Sequence, residues 1–554
     1  MNIRDIIWNY PDYFNRVLRF LAPISYLLIL IPIFSLIIFF FTLYLKDITV
    51  IDTQNTIKEG TVGYVSSINL LLNPVTQADR DIRKLTNVNF INIDSKGELS
   101  SSSLVKSWKA SNDFKKYTVT LREDIYWHDG ENVDIEDVNT TVVKSYEMYR
   151  NGYSDSIGSY FEGVTFSIDS KYEGSFVLNR RDPLFLQNLN IYIIPSHIFK
   201  DYNVQSLVDY NYTWRFVGNG PYILKKVENN TYYFDKNSKY LLGTPKIDNY
   251  EYHLFPTIAE LEIAYRNGGI NTISNVSTND ISFISEYKNT KKIDIDVKNR
   301  QRILFINSRV ERLSNIELRN ALSYLLDREM ILNISKIDGK VDVSFISSDS
   351  WAYDKDIDHI NYNKEKGEKI LETLGYVKDG VFYVNKEGKI LSLTLSFIEN
   401  ERNLSIANAI KSAYEQVGIL IELKGFTFEQ MNKEILATRS YELIMYEVEK
   451  TMDPDQYDLW HSSRIDYPNL NLSGYKNDRA DLFLERGRSD ASLSARKESY
   501  SLLQRLFALE TPAIGLFRQS FIFVIPSTLD IKDTSSIYYP EDRYINIHNW
   551  SFNN

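Results

Sequence analysis

The chain contains no cysteine. Disulfides, thiolate catalysis and cysteine-ligated zinc are therefore excluded, as is any lipid anchor that needs a cysteine to carry it. Histidine is scarce. His128, His197, His253, His359, His461 and His548 are scattered, and no two have metal-ligand spacing such as His-x-x-x-His. Neither a Gly-x-Ser-x-Gly elbow nor a phosphate-binding Gly-rich Lys loop is present. Basic residues are outnumbered, 63 against 73 acidic, for a net charge of −10, which argues against a nucleic-acid-binding protein. These absences leave no catalytic nucleophile, metal or cofactor to expect. Carboxylate pairs remain at Glu136/Asp137 and Asp453/Asp455. Such pairs could serve glycoside chemistry, depending on their separation in space. Helix capping is the simpler reading of the first.

What is present is ordinary globular composition, 43% hydrophobic and 25% charged over 554 residues, with room for two or more domains. One stretch departs from it. Phe20 to Leu45 runs for 26 residues without a charge, and a helix of that length reaches about 39 Å. That spans a bilayer core of about 30 Å with some tilt. Bulky Leu43-Tyr44-Leu45-Lys46 follows rather than a small-residue cleavage site. Residues 20–45 are expected to be an uncleaved transmembrane helix. Arg4, Arg16 and Arg19 precede the span, so residues 1–19 are expected to be cytoplasmic and the rest extracytoplasmic. Residues 46–60 read as a linker. Thr61–Leu72 is strand-like, and Asp79–Leu85 fits a helix.

The most informative words lie in Tyr117–Val138. Tyr117, Val119 and Leu121 alternate with polar residues, the period of a half-buried strand. Asp129-Gly130 is a turn pair. Asp134 can cap the helix that follows, with Asp137 three residues on. The order of Tyr117–Arg122, Trp127-His128-Asp129-Gly130 and Glu136-Asp137-Val138 resembles the signature of family 5 extracellular solute-binding proteins, the peptide-binding components of ABC importers. Further segments are similar to that family in the same order: Ile193–His197, Phe216–Tyr222 with Asn219 in place of Thr, Leu318–Leu322 with Leu326–Glu329, Asp453-Pro454, Asn471–Tyr475 and Pro512–Leu516. The resemblance covers about residue 60 onward.

Local patterning agrees. Tyr160–Leu178 alternates in two runs broken at Asp169-Ser170-Lys171, a hairpin. Ser314 and Glu317 read as a capping box, with Leu318, Ala321, Leu322, Leu325 and Leu332 on the buried face of the helix. Lys364–Leu374 and Leu404–Val417 read as helices closed by Gly375 and Gly418. With strands at Val381–Val384, Ile390–Phe397, Ile419–Leu423 and Tyr441–Val448 and a helix at Thr427–Ala437, they imply an α/β region built of crossovers. The expected fold is α/β and two-lobed, of the periplasmic-binding-protein type with an extra β-rich subdomain. Lobe I would span 61–300, lobe II 301–519, and 520–554 would return to lobe I.

The resemblance implies capture of an oligopeptide or similar solute in a cleft by a monomeric protein, delivery to an ABC permease, no cofactor and no bond-breaking step. In relatives an aspartate four residues before the Pro of the Asp-Pro segment takes the peptide amine. Here Lys450 stands at that position. Three readings are open: Glu449 or Glu447 takes over the amine, Lys450 binds an acidic ligand group, or the pocket has degenerated. Asp453, Tyr457, Trp460 and Tyr222 are candidate pocket residues, with core packing as the plainer role for the aromatics. The rival functions are a sensor or structural surface protein on the same fold and, less favoured, a surface hydrolase of glycans or peptides.

Overall fold

The computed structural model describes residues 55–93, 99–153, 157–210, 216–531 and 537–553. The expected membrane span at 20–45 lies outside them. Among the described residues no helix is long and apolar enough to cross a membrane. The first strand, β1 (Thr56–Val62), begins inside the linker expected over 46–60 and ends well short of Leu72. Ile68, Leu70 and Leu71 are buried in irregular chain instead, where Asn69 Oδ1 accepts the Leu71 N–H. Thr76 and Asp79 then cap the helix Gln77–Thr86 reciprocally.

A four-stranded antiparallel sheet follows. It is built from β2 (Val105–Ala110), β3 (Lys116–Leu121), β4 (Val164–Ile168) and β5 (Glu173–Leu178), in the order β2-β3-β5-β4. The expected hairpin is β4–β5. Asp134 and Asp137 form the expected capping box on the helix Ile135–Arg150, which packs over this sheet.

The chain returns to the main sheet with β6 (Tyr222–Glu228), β7 (Thr231–Lys236), β8 (Asn249–Phe255), β9 (Thr272–Val276) and β10 (Thr290–Asp296), then crosses into its second half through β11 (Arg300–Ile306). There the expected single helix from Ser314 is two. Asn315, not Ser314, accepts the Leu318 N–H, because a 3-10 turn over Glu311–Ser314 turns the serine hydroxyl back to the Glu311 carbonyl. Asp327 caps the second helix, Arg328–Ser335. After β12 (Gly339–Val341) and the hairpin of β13 (Val377–Asp379) and β14 (Phe382–Val384), the crossovers appear. β15 (Ser392–Ile398) pairs in parallel with both β16 (Leu420–Phe426) and β17 (Leu443–Glu449), and the helix Glu401–Val417 connects β15 to β16. Gly375 and Gly418 hold φ of +88° and +96° just past their helices, the left-handed geometry a helix end favours. The helix expected over Thr427–Ala437 is one α turn, Phe428–Gln430, followed by a π turn, Met431–Leu436.

β18 (Ala513–Pro526) ties the halves together. Its first residues pair with β11, and Ser520–Pro526 pair with β10 and β9. The result is a twelve-stranded sheet in the order β16-β15-β17-β11-β18-β9-β1-β8-β7-β6, with β10 and β12 also on β18. The boundaries expected at 300/301 and 519/520 both fall inside strands, β11 and β18, that join the halves.

Candidate functional site

The sequence motifs that stood apart converge on one scaffold. Asp137 accepts from Trp127 Nε1 at 3.0 Å, from the Asp134 N–H at 3.0 Å and from the Ser196 N–H at 2.7 Å. The partly buried His128 accepts from the Gly218 N–H on Nδ1 and lies 3.2 Å from the Gly220 carbonyl through Nε2. Burial pushes its pKa down to about 4, so the ring is neutral at physiological pH. The Gly218-Asn219-Gly220 turn in turn closes the end of the helix Gln77–Thr86. The Asn219 and Gly220 N–H groups both donate to the Thr86 carbonyl, and a Cβ on Gly218 would lie 2.0 Å from that oxygen. These groups fix the helix that carries Arg80, Arg83 and Lys84.

Those three cations face a cavity of about 330 Å³. Its other walls come from Tyr160 and Tyr192, from Trp351, from Thr451–Asp453 after β17, and from Tyr539, Glu541 and Asp542 near the C-terminal end of the chain. It therefore presents both signs of charge between aromatic walls. Most of the charges already have partners. Arg83 donates to the Leu72 and Ser67 carbonyls. Lys84 lies 3.4 Å from Asp542. Both oxygens of Asp453 accept from Arg496 Nη2, at 2.7 and 2.8 Å, while the Arg496 guanidinium sits 4.9 Å from the Trp351 ring centre. Glu541 is the least committed carboxylate in the wall: among the described residues its one side-chain partner by hydrogen bond is Gln77, at 3.2 Å. Burial raises its pKa, and Arg80 opposes the rise.

Of the residues singled out in the sequence, Asp453 alone lines this cavity. Glu449 is engaged elsewhere: Arg80 grips it with two hydrogen bonds of 2.6 and 3.0 Å, and Asn299 adds a third. Glu447 pairs with Arg302 at 3.0 Å. Lys450 does not reach the cavity. The chain leaves β17 there and turns the side chain inward, where it is 6% exposed and its Nζ has no hydrogen-bond partner among the described residues. Burial, opposed by nearby Asp342 and assisted by Arg518, lowers its pKa to about 8. The aromatic candidates do not line this cavity and pack elsewhere. Trp460 is fully buried against Phe345, Phe507 and Phe305. Tyr222 is fully buried and donates to the Ile247 carbonyl. Tyr457 stacks on His461, with Arg488 over its ring. Arg80 and Glu541 were missed, since they are 461 positions apart in the sequence and neither sits in a recognisable motif.

The family model described as bacterial extracellular solute-binding proteins, family 5 Middle, matches residues 101–465. The oligopeptide-binding protein AppA of Bacillus subtilis is 27% identical over 467 residues, covering 81% of this chain and 83% of its own length. Its structure in complex with a nonapeptide superposes with a TM-score of 0.68 at 24% identity, over 90% of this chain and 99% of that one. NikZ from Campylobacter jejuni, in complex with Ni(L-His), superposes with a TM-score of 0.70 at 21% identity, over 90% and 99%. The structural likenesses establish a periplasmic-binding-protein-like α/β fold.

Proposed function

The chain belongs to family 5 of the bacterial extracellular solute-binding proteins, and we propose that it captures a short oligopeptide or a similar zwitterionic solute between two lobes for uptake through an ABC permease. The observation that carries this reading is the two-signed cavity. A peptide brings an amine, a carboxylate and apolar side chains, and the cavity wall carries Glu541, the positive charge of Arg80 and Lys84, and aromatic faces. Its volume of about 330 Å³ is at the lower end of small-ligand sites, roughly 300–1,000 Å³, which favours a short ligand. Similarity to an oligopeptide-binding protein supports the same solute class.

Glu541 takes the amine in this reading. Both oxygens of Asp453 are held by Arg496, and Glu449 is held by Arg80. Glu541 keeps accepting capacity and faces the cavity. Uptake is a binding and release cycle with no bond broken. Residues 20–45 anchor the protein in the membrane by a single pass, with residues 1–19 cytoplasmic and the folded part extracytoplasmic, a reading that rests on the apolar run and the arginines before it.

The test is thermal unfolding of the full-length protein in detergent, with and without a random peptide pool, followed by mass spectrometry of what remains bound. A ligand that binds only the folded state raises the midpoint. Glu541→Gln should weaken the recovered peptide about tenfold. No midpoint shift and no retained peptide would sink the reading and favour a sensor or structural role on the same fold.

A further inference from the structure

A second cavity, of about 500 Å³, shares no lining residue with the first. It lies beside β9, β11 and β18, the strands that carry the sheet from one half to the other. Three arginines line it, Arg300, Arg302 and Arg402, and Glu447 is the one carboxylate in the lining. This is a concentration of positive charge in a chain whose net charge is −10. Arg302 is 9% exposed. Its Nη2 meets Glu447 at 3.0 Å, and its Nε has no partner among the described residues. Among the described residues the Arg300 side chain donates only to the neutral Gln77 amide, at 3.3 Å. Arg402 is exposed and has no carboxylate partner among the described residues. With Glu447 offsetting one guanidinium, two positive charges are left over.

The same wall holds the start of a long helix. Asn400 caps Glu401–Val417, accepting the Asn403 N–H, and Asn400, Arg402 and Asn403 all line the cavity. The free N–H groups of a helix's first turn and its dipole favour an anion there. Gln519 and Ser520 add neutral donors. Guanidinium forks from several directions around a helix N-terminus suit an oxyanion with several acceptor oxygens. Burial and the neighbouring Arg402 and Arg300 all act against the Arg302 charge, with Glu447 opposing them, a strain that a bound anion would relieve.

We propose that this cavity is a binding site for a phosphate-class dianion, either free inorganic phosphate or the phosphate group of a small solute, separate from the peptide cavity. The two leftover charges match a dianion. The site is wired to the first cavity. Glu447 and Glu449 are two apart on β17, hence on one face, and they hold Arg302 and Arg80 respectively. Gln77 joins Arg300 to Glu541. An anion that recruits Arg302 and Arg300 therefore competes with bonds that shape the first cavity, and linkage makes any such effect reciprocal.

The experiment is isothermal titration of the full-length protein in detergent with inorganic phosphate and, separately, with glycerol phosphate, against chloride at equal ionic strength. Saturable binding is expected to weaken at least about tenfold in Arg402→Gln and again in Arg300→Gln, both outside the hydrophobic core. Glu447→Gln, which removes the competing carboxylate, is expected to tighten it. Binding of phosphate alone would assign the free ion, and binding of the ester alone a larger solute. No saturable binding of either, or binding unchanged in both arginine variants, would overturn the proposal.

Discussion

Arg543 and Lys450 are both buried cations near carboxylates, and their surroundings differ in one respect. Arg543 has no exposed side-chain surface and donates to Glu59 at 2.8 Å and to Asp81 at 2.6 and 2.8 Å. Tyr544 and Tyr250 also donate to Glu59, and Tyr252 to Asp81. Nearly every oxygen and nitrogen is answered. Lys450 is as deeply placed, but its ammonium has no hydrogen bond among the described residues. Asp342, the carboxylate it faces, leans on Arg518 at 3.5 Å. A buried charge is tolerable when its hydrogen bonds are complete and costly when they are not. The first cluster joins β1, the helix Gln77–Thr86 and the C-terminal region into one block. The second lies where β17 ends, beside the link between halves, and leaves the Lys450 charge destabilising.

The sharpest way to break this comparison is Arg543→Leu. Removing one member of a satisfied buried cluster strands two carboxylates, and a loss of about 3–5 kcal/mol is expected in urea unfolding. A loss under about 1 kcal/mol would mean that the block does not depend on the cluster. Lys450→Met should act in the opposite direction. It removes an orphaned ammonium and keeps the aliphatic volume, so calorimetry at pH 7 should show a gain of about 1–3 kcal/mol.

The pH dependence of Lys450 refines that contrast. Its folded-state pKa is about 8 against an unfolded value of 10.5. Between these values the unfolded chain holds the proton and the folded chain does not, so stability rises with pH across that window. The advantage of the Met variant should therefore shrink from pH 8 to 10.5 and stay constant below it. An advantage that grows over the same range would refute the assignment. The smallest effect belongs to the pair Arg80–Glu449, whose side chains are 18% and 40% exposed. Arg80→Gln should cost at most about 1 kcal/mol, less in high salt, because partly exposed pairs are screened. Equal loss at low and high salt would show that the pair is buried more effectively than its exposure implies.

Local features were legible in the sequence because their causes are local. The Asp134–Asp137 box and the glycines at 375 and 418 each depend on a few neighbouring residues. Where the local rule had competitors, it failed by one residue, as with Asn315 displacing Ser314 as the cap. The site was much less legible. Lys450 and Glu449 stood where an amine anchor was expected, but whether a carboxylate is free depends on a partner elsewhere in the chain. Arg80 meets Glu449 from 369 residues away, and no periodicity encodes that pairing. Glu541 had no motif around it, so only folding reveals that it faces the cavity.

The Arg543 cluster also sets an order of events in the making of the protein. A ribosome delivers Glu59 and Asp81 early and Arg543 some 484 and 462 residues later. Until then the first block holds two carboxylates with no cation to accompany them inside, so it must stay open and wet while the second half is made. A truncated product ending before Arg543 would keep that opening for good and expose it to proteases. In this chain a late step of synthesis is also an inspection step, because one arginine decides whether β1 can close on the helix Gln77–Thr86.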